Sequence, residues 1–488
     1  MAYGLWYLAM LACRPAELPV EPAVVPSSGY VDVRFDVAAA GLDPQGVQQV
    51  VVGGLPVYAL RVDGDAVVAT VQGAPLPGPT TVEIVDVLGA HAFDEAIEYE
   101  PPIDPLFDRM LGIGASLTGG VQGGVPTQHG QLHSPGRVIA EQAGAFYALP
   151  LLVDPLFPSI GPQDVGPAPE CVVPDVVSFV ASAAIDVLTL LNDPVADRID
   201  FELALETPEV MPSNLAVGSS KVDTVLHGPD DGDFVRTFLA KLVYDTDLDL
   251  SDPVEHSQLD LVRQSAPTLI VSMDIYGNDL LTSLVESAVV EPELLTPADQ
   301  MDEQLGELVD ALAQTGAEVF LTNMPHVTLL PITEEKRQAA IAAAVAAAAG
   351  SGGDVDAAAV EEEEAVDARI AEVDAMADTY NAQLDAHAAR HANVHVVDFA
   401  GKVAEVEVEP LEVDGQVLTI GKLGGLLSTD GIHFSDAGYA MLGNLVLEAI
   451  ESELGVVVPQ ADMGAVVAGD PYALGALRQA GVEPDDCD

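Results

Sequence analysis

The chain has 488 residues, of which 49% are apolar, and carries 17 basic against 78 acidic side chains, a formal net charge of −61. This length and apolar content exclude a disordered chain and predict two or three domains. The negative charge argues against binding to nucleic-acid phosphates or to anionic lipid headgroups. Dispersed acidity is typical of adaptation to high salt, which screens self-repulsion. Calcium binding is the competing interpretation, but the chain has no D-x-[DN]-x-[DN]-G loop.

Residues 1–21 begin with an apolar stretch that ends at Cys13, directly after the small residue Ala12. The stretch resembles the apolar region and lipid-attachment box of a bacterial lipoprotein signal, although no basic residue precedes it. It is too short to span a bilayer as a helix. The resemblance implies export, either as a cell-envelope lipoprotein attached to a membrane through a lipid on Cys13 or as a secreted protein, and the alternative is an uncleaved N-terminus. Cys171 and Cys487 would then remain either as a disulfide pair or as free thiols.

Residues 22–101 contain short alternating runs separated by Gly, Pro and Asp turns. Such runs predict a small all-β sandwich, because successive side chains of a strand face opposite sides of the sheet. Their order resembles the IPT/TIG type of immunoglobulin-like domain. The expected role is a spacer or a surface-presenting module, with ligand binding as the alternative. Pro101, Pro102 and Pro105 then mark a linker.

Residues 104–458 change to strands that alternate with amphipathic helical segments. The candidate strands are 110–116, 213–218, 266–276, 317–324 and 394–400. Near-continuous apolar strands with helical connections predict a three-layer α/β/α domain around a parallel five-stranded sheet. Ligands of such sheets bind beyond the carboxyl ends of the strands, so the residues at those ends are the candidates for a site.

Four of these ends, or the loops near them, carry suggestive residues. Ser116 ends the first candidate strand, the second continues into NLAVGSS, and Asn278 follows the third. Asp430 and His433 lie in a loop before the last long helical segment. Each of these residues is common in turns and helix caps when taken alone. Their order along one edge of a parallel sheet favours a shared site.

Four short motifs resemble the sequence blocks of the SGNH hydrolases, the GDSL-type esterases and lipases. They are GASL at 114–117, NLAVGSS at 214–220, YGND at 276–279 and DGIH at 430–433. The resemblance covers roughly residues 106–455 and implies a flavodoxin-like fold. Three departures stand out: Ala115 replaces the usual aspartate, Tyr276 replaces a glycine, and the second block has Gly218 where proline is common and Ser219 where the family has glycine.

The resemblance implies a serine esterase mechanism. Ser116 would be the nucleophile. A serine hydroxyl attacks an ester only when a neighbouring base takes its proton. His433 would be that base, and Asp430 would hold the other imidazole nitrogen and fix the tautomer. The resemblance implies no cofactor.

The resemblance also implies an oxyanion hole around the tetrahedral intermediate. Its donors would be the Ser116 N–H, the N–H of Gly218 or Ser219, and the side-chain amide of Asn278.

A metal is not predicted. His326 lies in a Pro-flanked turn, and His387 and His391 lie one helical turn apart on an acidic helix. That last pair could bind zinc, but no third ligand accompanies it, so a solvated helix face is favoured.

The long connections shape expectations about the substrate. Residues 133–173 predict an apolar pocket that rests on Phe146, Tyr147, Leu151 and Phe157, and the alternative is ordinary packing. The insertion at 333–393 predicts two helices joined by a turn at 350–354. These helices form either a solvated hairpin or a mobile lid. Residues 402–427 predict a β-hairpin about Asp414-Gly415, and the tail at 459–488 carries no signal.

Together these features predict an exported serine esterase or lipase that forms an acyl-enzyme on Ser116. Two alternatives stay open. One is a carbohydrate deacetylase that uses the same residues. The other is a non-catalytic surface-binding protein on a hydrolase scaffold. The ester would be a lipid or an acylated carbohydrate of undetermined acyl length.

Overall fold

The computed structural model describes residues 22–57, 59–151, 211–230, 234–244, 253–287 and 289–479. The segment at 1–21 with Cys13, and the residues Phe157, Cys171 and Cys487, lie outside the described residues. The described residues fall into two compact units: those up to Asp108 together with Ala143–Phe146, and those of Arg109–Gln142 and from Tyr147 onward. None of the described helices combines the length and apolar composition that crossing a membrane requires.

The first unit consists mainly of strands arranged in two sheets. The strands are β1 Ala23–Pro26, β2 Gly29–Phe35, β3 Val47–Val52, β4 Leu55–Pro56, β5 Ala59–Asp63, β6 Ala66–Gln72, β7 Gly78–Asp86 and β8 Gly89–Glu100. One sheet has the order β1-β8-β7-β3-β4 and the other β2-β6-β5. Side chains from both sheets, such as Phe35 and Ile84, pack into one core. The predicted N-terminal strands are therefore confirmed, whereas the likeness to IPT/TIG domains stays a prediction.

The second unit is built on a parallel sheet. Its strands are β9 Met110–Gly112, β10 Leu269–Ser272, β11 Glu318–Thr322 and β12 Val394–Val397, in the order β12-β11-β10-β9. All neighbouring pairs are parallel. Every residue of β9 and β10 is buried, as expected of a sheet that helices cover on both faces.

The prediction of a full fifth strand at 213–218 is wrong. Among the described residues the sheet has four strands, and the segment at 213–218 contributes one parallel bridge, between Asn214 and Gly112. The Asn214 side chain accepts the Ala216 N–H, and such local bonds compete with a strand ladder. The bridge still places NLAVGSS next to β9, at the sheet edge where the prediction needed it.

The described helices connect and cover these strands. They are α1 Ser116–Gly119, α2 Gln128–Leu132, α3 Pro135–Ala143, α4 Val222–His227, α5 Phe234–Val243, α6 Gln258–Ser265, α7 Gly277–Val285, α8 Ala298–Ala313, α9 Pro331–Ser351, α10 Val355–Ala388, α11 Phe399–Val408, α12 Asp436–Leu454, α13 Met463–Gly469 and α14 Leu474–Gln479. Helices α9 and α10 form the predicted pair joined at Gly352, which has a left-handed backbone. One face of α10 is not solvated, because Val373 and Tyr380 are buried in the core of this unit.

A small hairpin follows α11. Its strands are β13 Leu411–Val413 and β14 Gln416–Leu418, and the turn residues Asp414 and Gly415 both have positive φ. The prediction was wrong for the first part of 402–427, which is helical. Val403 and Val406 are buried three residues apart, a helical spacing that overrides the alternation of Val and Glu in this stretch.

Candidate active site

The serine turn lies between β9 and α1. Gly114 has φ +126°, and a Cβ there would lie 2.7 Å from the Ser272 Oγ, so only glycine fits this close approach. Ser116 is the first residue of α1, and 8% of its surface is exposed. The sequence thus folds into a strand, a tight turn and a helix that together hold Ser116 at the carboxyl end of β9.

A buried carboxylate from the neighbouring strand holds this turn. Asp274 follows β10 and accepts the backbone N–H groups of Ala115 at 3.0 Å, Leu117 at 2.6 Å and Thr118 at 3.3 Å. Burial raises the pKa of Asp274, and these hydrogen bonds oppose the rise. The family's usual aspartate is an alanine here, but a carboxylate still supports the turn. Asp274 takes no bond from the Ser116 N–H, which has no acceptor among the described residues and can therefore donate to an oxyanion.

A second buried side chain holds the same turn from α6. The Gln258 Oε1 accepts the Gly114 N–H at 2.8 Å, and its Nε2 donates to the Gly114 carbonyl at 2.9 Å. The same Nε2 lies 3.3 Å from the Ser220 Oγ. Gln258 is fully buried, so this one amide connects the serine turn with the NLAVGSS loop. The sequence gives no local sign of this role, which depends on contacts 144 residues apart.

The NLAVGSS loop uses a serine where the family uses glycine. Ser219 has φ +66°, a left-handed backbone that costs a residue with a Cβ about 1–2 kcal/mol. Gly218 does not have a positive φ. Ser219 therefore occupies the glycine-type position, and its N–H has no acceptor among the described residues. The Arg236 Nε donates to the Ser219 carbonyl at 2.6 Å and supports the strained loop.

The YGND motif begins α7 and is bonded to this loop. The Asn278 Nδ2 donates to the Ser220 carbonyl at 3.0 Å, which leaves its second amide hydrogen for a ligand. Asp279 accepts the Val222 N–H at 3.1 Å, at the start of α4. Burial raises the pKa of Asp279 to about 6, against the opposing effect of a hydrogen bond from Thr296. The motif therefore positions α4 as well as presenting Asn278.

Tyr276 replaces a family glycine without disturbing the motif. Its side chain is fully buried, and its ring meets the Tyr380 ring edge to face at 6.1 Å. Its hydroxyl donates to the Asn381 Oδ1 at 2.5 Å. The substitution thus packs α7 against α10.

Asp430 and His433 form a buried pair in the loop before α12. The Asp430 Oδ2 lies 2.8 Å from the His433 Nδ1, and its Oδ1 accepts the N–H groups of Ile432 and His433 at 2.9 and 2.8 Å. Burial would raise the pKa of Asp430, but the charge of His433 and these hydrogen bonds hold it below its ordinary value. Asp430 is therefore an anion that accepts the Nδ1 proton, and the Nε2 of His433 is then the nitrogen that can act as a base.

Direct bonds join the segment after Ser116 to the histidine loop. The Gly123 N–H donates to the Ser428 Oγ at 3.1 Å, and the Gln122 Nε2 donates to the Asp436 Oδ1 at 2.8 Å. The Tyr439 hydroxyl donates to the Val121 carbonyl. The structure thus brings the loops that carry Ser116, Asp430 and His433 to one edge of the sheet, next to Asn278 and the NLAVGSS loop.

An apolar cavity of about 30 Å³ lies beside these residues, which is room for about two water molecules. Its lining includes the chain neighbours of Ser116, Asn278 and His433. Among the lining residues are Leu117, Gly277, Leu280, Met324, Ile432 and Phe434. A pocket for the acyl group is therefore available next to the candidate nucleophile.

Of the residues predicted for the pocket, the three that the structure describes, Phe146, Tyr147 and Leu151, do not line this cavity. Tyr147 is buried so close to Gly112 and Gly136 that a Cβ on either glycine would lie within 2.3 Å of its hydroxyl. Leu151 is buried, and Phe146 belongs to the first unit. Tyr147 and Leu151 therefore act as ordinary packing, which was the alternative interpretation.

The histidine pair considered for zinc does not converge. His387 lies 2.9 Å from the Asp302 Oδ1, and His391 lies 2.7 Å from the Asp310 Oδ1, so the two rings serve separate carboxylates of α8. His326 likewise pairs with Asp378.

A different cluster was missed from the sequence. His129 and His133, four residues apart, both face Asp436, and their ligand atoms lie within 4.8 Å of one another. The spacing of the two histidines was a signal available from the sequence, but the third member is 307 residues away from His129.

Comparison with known proteins bears on this arrangement. A family model described as GDSL-like Lipase/Acylhydrolase matches residues 188–446. This range is more than half of the chain and contains the NLAVGSS, YGND and DGIH motifs, whereas Ser116 precedes it. Searches of curated proteins and of solved structures found no match. The chain therefore belongs to the GDSL-like lipase/acylhydrolase family, and it is a carboxylic ester hydrolase.

Proposed function

We propose that this protein hydrolyses short-chain carboxylic esters through an acyl-enzyme on Ser116. The observation that carries the proposal is the Asp430–His433 pair, 2.8 Å apart and bonded through its loop to the segment after Ser116. The Asp430 carboxylate orients the imidazole through Nδ1, and an imidazole held in this way can activate a serine hydroxyl.

The reaction follows from these roles. The Ser116 Oγ attacks the ester carbonyl while the His433 Nε2 takes its proton, and Asp430 stabilises the imidazolium. N–H groups of Ser116 and Ser219 and the Asn278 amide donate to the oxyanion. The C–O bond to the alcohol then breaks as His433 protonates the leaving oxygen. Water, activated by the same histidine, attacks the acyl carbon, and the acid leaves as the proton returns to Ser116.

A short acyl chain is supported by the cavity. Its small volume of about 30 Å³ and its apolar lining support a short acyl group such as acetyl rather than a long chain. The same observation favours a second candidate function, deacetylation of a carbohydrate, since an acetyl group is the smallest acyl group that this cavity would take.

The test is hydrolysis of p-nitrophenyl acetate, butyrate and palmitate in low and molar salt. Wild type is compared with Ser116→Ala and with Ser351→Ala, an exposed serine at the end of α9. We expect acetate and butyrate to be the best substrates, and Ser116→Ala to lower kcat/KM by about 10³-fold or more while Ser351→Ala leaves it unchanged. Equal activity in Ser116→Ala would contradict the nucleophile, and preference for palmitate would contradict the short chain. An inert wild type that also resists labelling by a fluorophosphonate would favour the surface-binding protein.

We also propose that the protein is exported and attached to a membrane through Cys13. Support comes from the apolar stretch that ends at Ala12-Cys13. Cell fractionation tests this proposal. We expect the chain in the membrane fraction and Cys13→Ser in the soluble fraction. Recovery of both in the cytoplasm would contradict export.

A further inference from the structure

We propose that His129, His133 and Asp436 form a binding site for a divalent transition-metal ion, with zinc as the preferred ion. The His129 Nε2 lies 2.9 Å from the Asp436 Oδ2, and the His133 Nε2 lies 3.6 Å from the same oxygen. Two ligands of a tetrahedral zinc ion, each at about 2.1 Å from the metal, lie about 3.4 Å apart. The distances of the two histidines from Asp436 bracket this value, and the ligand atoms of all three side chains lie within 4.8 Å of one another.

The tautomer of His133 supports a ligand role. Its Nδ1 lies 2.8 Å from the carbonyl oxygen of His129, so Nδ1 donates its proton there and Nε2 is the nitrogen that can bind a metal. Nε2 faces the Asp436 Oδ2 at 3.6 Å, and a cation between the two atoms would be bound by both. A ring that donates its other N–H to a backbone carbonyl is the usual arrangement of a metal-bound histidine.

The carboxylate is held in the same manner from its other side. Asp436 is 2% exposed, and its Oδ1 accepts the Gln122 Nε2 at 2.8 Å, which leaves Oδ2 for the ion. Gln122 is 1% exposed, and its Oε1 is buried with no partner among the described residues. Water can complete a four-coordinate site.

The donor set selects the kind of ion. Two imidazole nitrogens and one carboxylate oxygen suit zinc and similar transition metals, whereas calcium and magnesium require mostly oxygen ligands. The site is also accessible, because the side chains of His129 and His133 are 46% and 40% exposed. The ion can thus enter from solvent and meet a buried anion.

A bound ion at this position would connect two segments of the active-site edge. α2 belongs to the segment that follows Ser116, and Asp436 begins α12 three residues after His433. An ion held by both would cross-link these two parts of the active-site edge. This inference does not depend on the proposed ester hydrolysis, since binding can be measured without a substrate.

The test is zinc titration of the full chain after removal of metals with EDTA, by calorimetry and by thermal unfolding. Because an acidic chain attracts cations without specific ligands, the titration is done in excess Mg²⁺ and molar NaCl. We expect one zinc ion per chain and a higher Tm in its presence. We expect His129→Ala and His133→Ala each to weaken binding by about tenfold or more, and Co²⁺ to give the visible absorption of an imidazole-ligated ion.

The matched control is His391→Ala, from the other pair of histidines four residues apart, and it should bind zinc as wild type does. Circular dichroism checks that the variants are folded, which is expected because both rings are partly exposed. The proposal is overturned if wild type binds no zinc under these conditions. It is also overturned if the double variant of His129 and His133 keeps wild-type affinity.

Discussion

The carboxylate of Asp274 accepts the backbone N–H of Leu117 at 2.6 Å, across 157 residues of sequence. Together with its bonds to Ala115 and Thr118, this contact fixes the turn on both sides of Ser116 and leaves the Ser116 N–H unused. Asp274 is thus a positioning residue, because it holds the nucleophile and an oxyanion donor in place without contacting the reacting atoms itself.

Asp274→Asn should therefore weaken both stability and turnover. An amide offers one acceptor oxygen and brings an N–H₂ group against N–H donors, so we expect the free energy of unfolding to fall by about 2–4 kcal/mol. A misplaced nucleophile should lower kcat by about 10–100-fold with little change in KM. Urea unfolding and steady-state kinetics measure the two effects.

The control for this variant is Asp462→Asn. Asp462 also accepts two backbone N–H groups, at the start of α13, but it is exposed. We expect it to lower stability modestly and to leave kcat unchanged. An Asp274→Asn enzyme with wild-type kcat would contradict the positioning role.

Gln258→Leu should impair the same turn from its other side. The change leaves the Gly114 N–H buried without a partner, whereas the Gly114 carbonyl keeps its bond from the Val217 N–H, so we expect a cost of about 1–3 kcal/mol. We expect kcat to fall by about tenfold or more and KM to change little. Gln383→Leu, which removes one bond to the Ala298 carbonyl, should lower stability by about 1 kcal/mol and leave kcat alone. If Gln258→Leu and Gln383→Leu had the same kcat and KM, the positioning role of Gln258 would be contradicted.

Ser219→Gly should be tolerated or stabilising, because glycine adopts φ near +66° without strain. We expect a gain of about 0.5–1 kcal/mol in the free energy of unfolding, with kcat retained because the N–H remains. Ser219→Ala should match wild type, and Ser219→Val should lose more than about 1 kcal/mol, since a β-branched residue is an outlier at positive φ. A loss of stability in Ser219→Gly would show that the serine side chain itself matters.

The raised pKa of Asp279 predicts that the stability of the protein depends on pH. Burial raises its pKa from 3.8 to about 6 in the folded state, so its stabilising contribution is complete below pH 3.8 and is lost as pH rises through 6. A change of this size corresponds to about 3 kcal/mol. Asp279→Asn stays neutral, so we expect the stability advantage of wild type over the variant to shrink by about that amount between pH 4 and 7.

Urea unfolding across this pH range checks the difference between the two proteins. Glu303→Gln, at an exposed position of α8, controls for the loss of one negative charge from an acidic chain. A difference between wild type and Asp279→Asn that stays constant with pH would contradict the raised pKa.

Much of the fold follows from local patterns. Buried apolar runs predict β9, β10, β11 and β12, because a strand covered on both faces needs no polar side chains. The Asp414-Gly415 turn and the break between α9 and α10 are visible because glycine marks left-handed backbone. The predictions failed where tertiary contacts override local pattern: the alternation of Val and Glu in α11, and the segment at Asn214 that forms one bridge instead of a strand.

For the candidate site, the sequence by itself determined which side chains end the strands. Ser116, Asn278, Asp430 and His433 stand in short motifs whose residue types are readable one after another along the chain. Only the tertiary structure decided what holds them. Asp274, Gln258 and the cluster at Asp436 act through contacts that span 144 to 307 residues, and such partners have no spacing to recognise. The residues of a motif are close in sequence because they belong to the same turn. The residues that hold this turn in place can be distant in sequence, because a buried polar group can take its hydrogen-bond partner from any element that packs against it.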